Sequence, residues 1–82
     1  DKGKKEIVDG IVIIFAIQDE KIGLAVGVTE KLTSKYDAVQ FVKIGSDIIG
    51  GKGGGGRQDF AQAGGILKDK IDEAFDKIKS LI

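Results

Sequence analysis

The chain has 82 residues, 41% of them hydrophobic, with 13 basic and 13 acidic side chains. Such a length sets one small domain, near the lower end of what a single hydrophobic core stabilises, and the hydrophobic content speaks against global disorder. Zero net charge excludes nucleic-acid binding through bulk electrostatics alone; the lack of cysteine and histidine excludes disulfides, thiolate or imidazole metal sites and the commonest general base.

The longest apolar run, 11–17, is too short to span a bilayer, and no signal peptide is visible. Methionine is absent and the first residue is Asp1, so the expectation is an excised piece of a longer, cytoplasmic protein. Residues 1–9 are charged, with Ile7 and Val8 their apolar members, and read as a linker or helix stub from a preceding domain. Residues 10–82 form the single globular domain. Within it, 11–17 (Ile-Val-Ile-Ile-Phe-Ala-Ile) is a β-branched and aromatic strand whose lack of alternation predicts cover on both faces. A second strand follows over 21–29, where Ile22, Leu24, Val26 and Val28 alternate with Lys21, Gly23, Ala25 and Gly27. The small residues predict close packing on that second face, and the short polar link 18–20 makes the two strands an antiparallel hairpin.

A first helix is expected from Ser34, with Ser34 and Asp37 as a capping box and Ala38, Phe41, Val42, Gly45, Ile48 and Ile49 at helical spacing. Gly50 stops it. The last helix carries one apolar stripe: Leu67, Ile71, Ala74, Phe75, Ile78, Leu81 and Ile82. Charged residues cover its other faces, with Glu73 and Lys77 an i,i+4 pair.

Between the helices lies a glycine-rich loop, 50–58. Gly50, Gly51, Gly53, Gly54, Gly55 and Gly56 are interrupted only by Lys52, and Arg57, Gln58, Asp59, Phe60, Ala61, Gln62, Ala63, Gly64 and Gly65 follow. Glycine adds backbone freedom that folding must remove and has no side chain to bury, so such a tract needs a reason other than stability. Three readings compete. A dinucleotide loop matches Gly51-Lys52-Gly53-Gly54-Gly55-Gly56 trivially, but it needs a strand before it and a helix directly after it, and the P-loop Gly-Lys-Ser/Thr is missing. A flexible linker suits the glycines but not the chemically specific 57–65. A surface for RNA or a partner uses closely spaced backbone N–H groups, the cations Lys52 and Arg57, and Gln58 and Gln62 toward sugar or base edges. Arg57 could instead pair with Asp59 and lock the loop.

The stretch 50–65 resembles the glycine-rich signature at the C-terminal end of alanyl-tRNA synthetases. There it typically reads Gly-Gly-Gly-Arg-Pro-Asp, a hydrophobic residue, then Ala-Gln-Ala-Gly-Gly or Ala-Gln-Gly-Gly. The strand Gly23-Leu24-Ala25-Val26-Gly27-Val28-Thr29 and the closing amphipathic helix also look like that family, and the likeness runs from about Gly10 to the end. Gln58 stands where the family usually has Pro. The absence of histidine separates the chain from the related domain of DHH phosphoesterases, whose equivalent loop carries a Gly-Gly-His element.

The resemblance implies the C-terminal globular, DHH-associated type of domain. Such a domain is non-catalytic, linked through a helical segment to the editing domain, and associated with the outer corner of tRNA and, in bacterial members, with dimerisation. The candidate RNA-binding residues, read from the chemistry of the loop itself, are Lys52, Gly53, Gly54, Gly55, Gly56, Arg57, Gln58 and Gln62. No catalytic or metal residue is implied, and ATP and zinc are expected only in the parent. The implied partners are tRNA, other domains of the parent and a homodimer formed through the parent; no membrane is among them. The alternative is a protein–protein or dimerisation module without RNA contact. A phosphoesterase-type enzyme fragment is disfavoured without histidine or an acidic metal cluster.

The expected fold is α+β: a small antiparallel sheet made of the hairpin and a third short strand near 59–63, two helices on one face, and the glycine-rich loop between the first helix and that strand. Phe15, Phe41, Phe60, Ile71, Phe75 and Ile78 are the expected shared core.

Overall fold

The computed structural model describes residues 2–51 and 54–82, so Asp1, Lys52 and Gly53 lie outside the described residues. Five strands form one antiparallel sheet: β1 (Lys2–Val8), β2 (Ile11–Gln18), β3 (Lys21–Val28), β4 (Gly54–Gly56) and β5 (Phe60–Gly65). Their spatial order is β1-β2-β3-β5-β4. Helices α1 (Ala38–Ile48) and α2 (Ile71–Ser80) cover one face, so the architecture is α+β as expected.

The segment 1–9 corrects the reading of a linker or helix stub, because Lys2–Val8 is a full edge strand paired along β2. The turn explains why. Val8 pairs with Ile11, which leaves Asp9-Gly10 as a two-residue connection, with φ of 51° and 86°. Positive φ at both central residues is the hairpin geometry that Asp-Gly favours. The ion pair of Glu6 with Lys79 of α2, at 3.3 Å, ties this strand to the body of the domain.

The hairpin of β2 and β3 stands as expected, joined by Asp19-Glu20. Its packing differs. Ile11, Ile13 and Phe15 of β2 and Ile22, Leu24, Val26 and Val28 of β3 are buried beneath the helices. Val12 and Ile14 are only half-buried and Ala16 is exposed, so β2 is covered on one face and not on two. Ala25 and Gly27 also point away from the helices. The close approach is made from the helix side: a Cβ added to Gly45 of α1 would lie 2.6 Å from Leu24 Cδ2 and 3.0 Å from Ile78 Cδ1. A helix without a side chain at that point can settle into the sheet and against α2 together.

Helix α1 starts three residues later than the Ser34 reading. Its N-cap is Asp37, in extended conformation, whose Oδ1 accepts from the Val39 amide at 2.9 Å. A carboxylate in this place satisfies an otherwise unpaired donor and meets the positive end of the helix dipole. Asp37→Ala is therefore expected to cost about 1 kcal/mol, and Ser34→Ala close to nothing; thermal unfolding of the two variants checks the assignment.

In α2, Ile71, Ala74, Phe75 and Ile78 are buried, while Leu67 and Leu81 at the stripe's ends remain exposed. Glu73 is paired with Lys70 at 3.7 Å. Phe15 and Phe75 meet at the centre of the core with ring centroids 5.5 Å apart. Phe60 is the exception among the expected core residues: it is 41% exposed and lies on the helix-free face.

Candidate nucleic-acid interface

The glycine tract is built into the fold from its first residue. Gly50 has φ 79°, and the Gly51 amide donates to the Ser46 carbonyl at 2.7 Å, closing α1 with a left-handed cap. Gly51 then passes so close to β5 that an added Cβ would overlap the Gly64 carbonyl oxygen and Ser46 Oγ. The buried Ser46 hydroxyl donates to that same carbonyl at 3.1 Å. The Ile66 and Leu67 amides donate to the Ile49 carbonyl at 2.9 and 2.8 Å, so the end of α1 and the end of β5 are tied to each other.

Residues 54–56 correct the expectation of an irregular loop. They form β4, an edge strand in register with β5: Gly54 opposite Ala63, Gly55 opposite Gln62, Gly56 opposite Ala61. The third expected strand thus comes with an unexpected partner, and together they make a third hairpin. Arg57 and Phe60 exchange backbone hydrogen bonds at 2.7 and 3.2 Å, leaving Gln58-Asp59 as its tip. In an antiparallel ladder such pairs alternate, which turns the Gly56 N–H away from β5. The tip is anchored twice through the backbone. The Ala38 amide donates to the Gln58 carbonyl at 3.0 Å, and the Val28 amide to the Asp59 carbonyl at 2.8 Å.

These anchors hold the tip without the Arg57 side chain. Its Nε lies 3.4 Å from Asp59 Oδ1, so the anticipated pair exists, but the Arg57 side chain is 79% exposed. An exposed ion pair contributes about 0–1 kcal/mol. The tip is held by its carbonyls, and the guanidinium remains accessible. Glu30 shares the shallow groove that Arg57, Gln58 and Asp59 line with Thr33, and so places a second carboxylate near the tip.

The sheet register sorts the remaining residues into cross-strand rows on the helix-free face. One row runs Arg57, Phe60, Gly27, Val12, Ile7. The next runs Gly55, Gln62, Ala25, Ile14, Lys5. A third holds Gly64, Gly23 and Ala16. Between Ile14, Ala16, Gly23, Ala25 and Gln62 the surface dips into a depression of about 270 Å³.

Of the residues picked out in the sequence, Gly55, Arg57 and Gln62 share this face, Gly54 and Gly56 flank it on the edge strand, and Gln58 sits exposed at the tip. Lys52 and Gly53 lie outside the described residues. The residue that sequence reasoning misplaced is Phe60. Its readable signal is phase: it alternates with the exposed Gln62, whereas buried Ala61 occupies the core-facing position. No group of three or more acidic residues among the described residues could hold a metal ion. No helix among them is long and apolar enough to cross a membrane.

The sequence profile of the DHHA1 domain family matches residues 1–82. The chain belongs to the DHHA1 domain family. That match includes 1–9, in keeping with the place of β1 in the sheet. The domain is 51% identical over 83 residues to the alanine–tRNA ligase of Parvibaculum lavamentivorans and 48% identical over 82 residues to that of Paramagnetospirillum magneticum. In both cases all of this chain is covered, and it spans 9% of the relative's length. The fold is similar to the crystal structure of the C-Ala domain from Aquifex aeolicus alanyl-tRNA synthetase, with a TM-score of 0.81 and 34% identity. That likeness covers 87% of this chain and 63% of the other.

Proposed function

We propose that the chain is the C-terminal globular module of an alanyl-tRNA synthetase, without catalytic activity of its own, which helps bind and position tRNA(Ala) for aminoacylation and editing carried out elsewhere in the parent. The observation that carries this reading is the match of the entire chain to a small segment of alanine–tRNA ligases. Holding tRNA at a distant point raises the local concentration of its reactive end near the catalytic domains. On this reading the module itself takes no cofactor. ATP and zinc are engaged by other domains of the parent, the setting is the cytoplasm, and dimerisation is a property of the whole enzyme.

The proposed contact is the hairpin of β4 and β5. Exposed Gly54, Gly55 and Gly56 let a phosphate approach the backbone, the Gly56 N–H faces outward, and Arg57 adds an accessible charge beside Gln58 and Gln62. Lys52 and Gly53 join this set on sequence grounds. Binding is expected to be weak, since a neutral domain with about two phosphate contacts releases few counterions.

A chemical-shift titration of the chain with tRNA(Ala) is expected to move the amides of 54–62 first. Replacing both Lys52 and Arg57 by Ala should weaken binding and flatten the dependence of log K on log salt by up to roughly two units, with the melting temperature little changed. Unaltered tRNA affinity in that double variant would favour the other reading, a packing or dimerisation module. The half-buried, helix-free face bearing Val12, Ile14 and the 64% exposed Ile7 is the observation on its side.

A further inference from the structure

Phe60 is a large aromatic that the core does not use. It is 41% exposed on the sheet face opposite both helices. Its cross-strand neighbour on β3 is Gly27, where an added Cβ would lie 3.9 Å from Phe60 Cδ1, so the ring leans over bare backbone. The positions around it are small or polar: Ala25 on the diagonal, Gln62 two residues along the strand, and Gly55 one strand further, with no atom within 4 Å of where its Cβ would stand. Within β4 itself the ring therefore meets no side chain. Arg57 stands directly opposite it across the hairpin.

Basic side chains outnumber acidic ones on this face, where the carboxylate at the hairpin tip, Asp59, stands 3.4 Å from Arg57. Among the described strand residues on the helix-free side, the ionisable ones are Lys5 and Lys21, and Arg57 joins them at the hairpin end. Glu6, the carboxylate within β1, points to the helix side, where it meets Lys79. In a chain of zero net charge, this face has a basic excess, and its part around Phe60 is a small-residue platform with a single exposed ring. A purely apolar partner gains nothing from that charge asymmetry, whereas a nucleic acid offers both a flat π surface and phosphates.

We propose that Phe60 is a stacking platform for a nucleobase of bound RNA, either unstacked or exposed at the end of a helical stack, with Arg57 reaching the adjoining phosphate and Gln62 facing the base edge. This rests on the tRNA-binding reading and adds the kind of contact made. Stacking on an aromatic side chain is worth about 1–3 kcal/mol per base and tolerates any base. It releases no counterion, so it leaves the salt dependence alone.

The chain contains no tryptophan, which makes Phe60→Trp a built-in reporter. In a titration of the chain with tRNA(Ala), Phe60→Trp should bind within about three-fold of the unmodified chain, with quenched fluorescence as the indole stacks. Phe60→Leu keeps an apolar side chain without a π face. It should lose roughly 5- to 100-fold in affinity while the slope of log K against log salt and the melting temperature stay as they were. If Phe60→Leu binds tRNA as tightly as the unmodified chain, the stacking platform is overturned and the tRNA-binding reading stands. If the unmodified chain does not bind tRNA while its sedimentation reveals self-association that Phe60→Leu or Ile14→Lys abolishes, both fall and the face is a protein interface.

Discussion

Gly51→Ala is expected to destabilise the domain by about 3 kcal/mol or more, whereas Gly55→Ala should change its stability by less than about 0.5 kcal/mol. A Cβ at Gly51 overlaps the Gly64 carbonyl oxygen, Ser46 Oγ and the Gly64 carbonyl carbon. Two of these are backbone atoms of a central hairpin strand and cannot swing aside as a side-chain tip could. Relief requires moving α1 off β5, which also strains the Ser46 hydroxyl bond to Gly64 and the paired donors on the Ile49 carbonyl. Gly55, four positions further along the same tract, has open space at its Cβ position. Urea unfolding of the two variants separates the physical readings of the tract. A flexible linker would make the two substitutions equivalent; a close-packed edge makes them differ by a substantial fraction of the margin by which a domain of this size is stable.

Phe15→Ala should cost about 3–5 kcal/mol, enough to leave the chain largely unfolded at 37 °C. Phe15 is fully buried in the middle of β2 and packs against Phe75 of α2 with ring centroids 5.5 Å apart. Removing it deletes the ring contact between β2 and α2 and opens a cavity that the β-branched neighbours Ile11 and Ile13 cannot collapse into. A double-mutant cycle with Phe75→Leu should give a coupling of about 0.5–1.5 kcal/mol for the ring pair. Calorimetric unfolding that shows Phe15→Ala within 1 kcal/mol of the unmodified chain would mean that the two rings are not the centre of the core. On the proposed tRNA-binding reading, the same variant should lose tRNA binding in proportion to the unfolded fraction, because β2 carries the floor on which β3 and the β4–β5 hairpin are ordered.

The long-period patterns were readable. Ile71, Ala74, Phe75 and Ile78 at helical spacing place α2, and the alternation of Ile22, Leu24, Val26 and Val28 places β3 and its buried face. Gly50 as the stop of α1 follows from its freedom to adopt positive φ. Each of these rests on residues within a few positions of one another, so local geometry settles them. The Asp9-Gly10 turn is equally local, but the low apolar content of the highly charged 1–9 masks the strand before it; an edge strand needs little, since only one of its sides is paired and its outer face meets water.

The sequence by itself determined the α+β character, the family and the impossibility of thiolate or imidazole chemistry, because composition, period and a specific glycine signature do not depend on distant contacts. Only the tertiary structure decided what the glycines and the aromatics are for. Gly51 is required by a carbonyl of Gly64 that lies 13 positions along the chain, and Gly45 by Leu24 on β3, 21 positions earlier. Phe60 looked like core by its hydrophobicity. Its position opposite Gly27 in the β3–β5 register turned it to the other face, and a shift of one residue in that register would have buried it. Register between strands separated by a helix is set by how α1 seats on the sheet and where its C-terminal cap releases the chain, and no window along the sequence contains both.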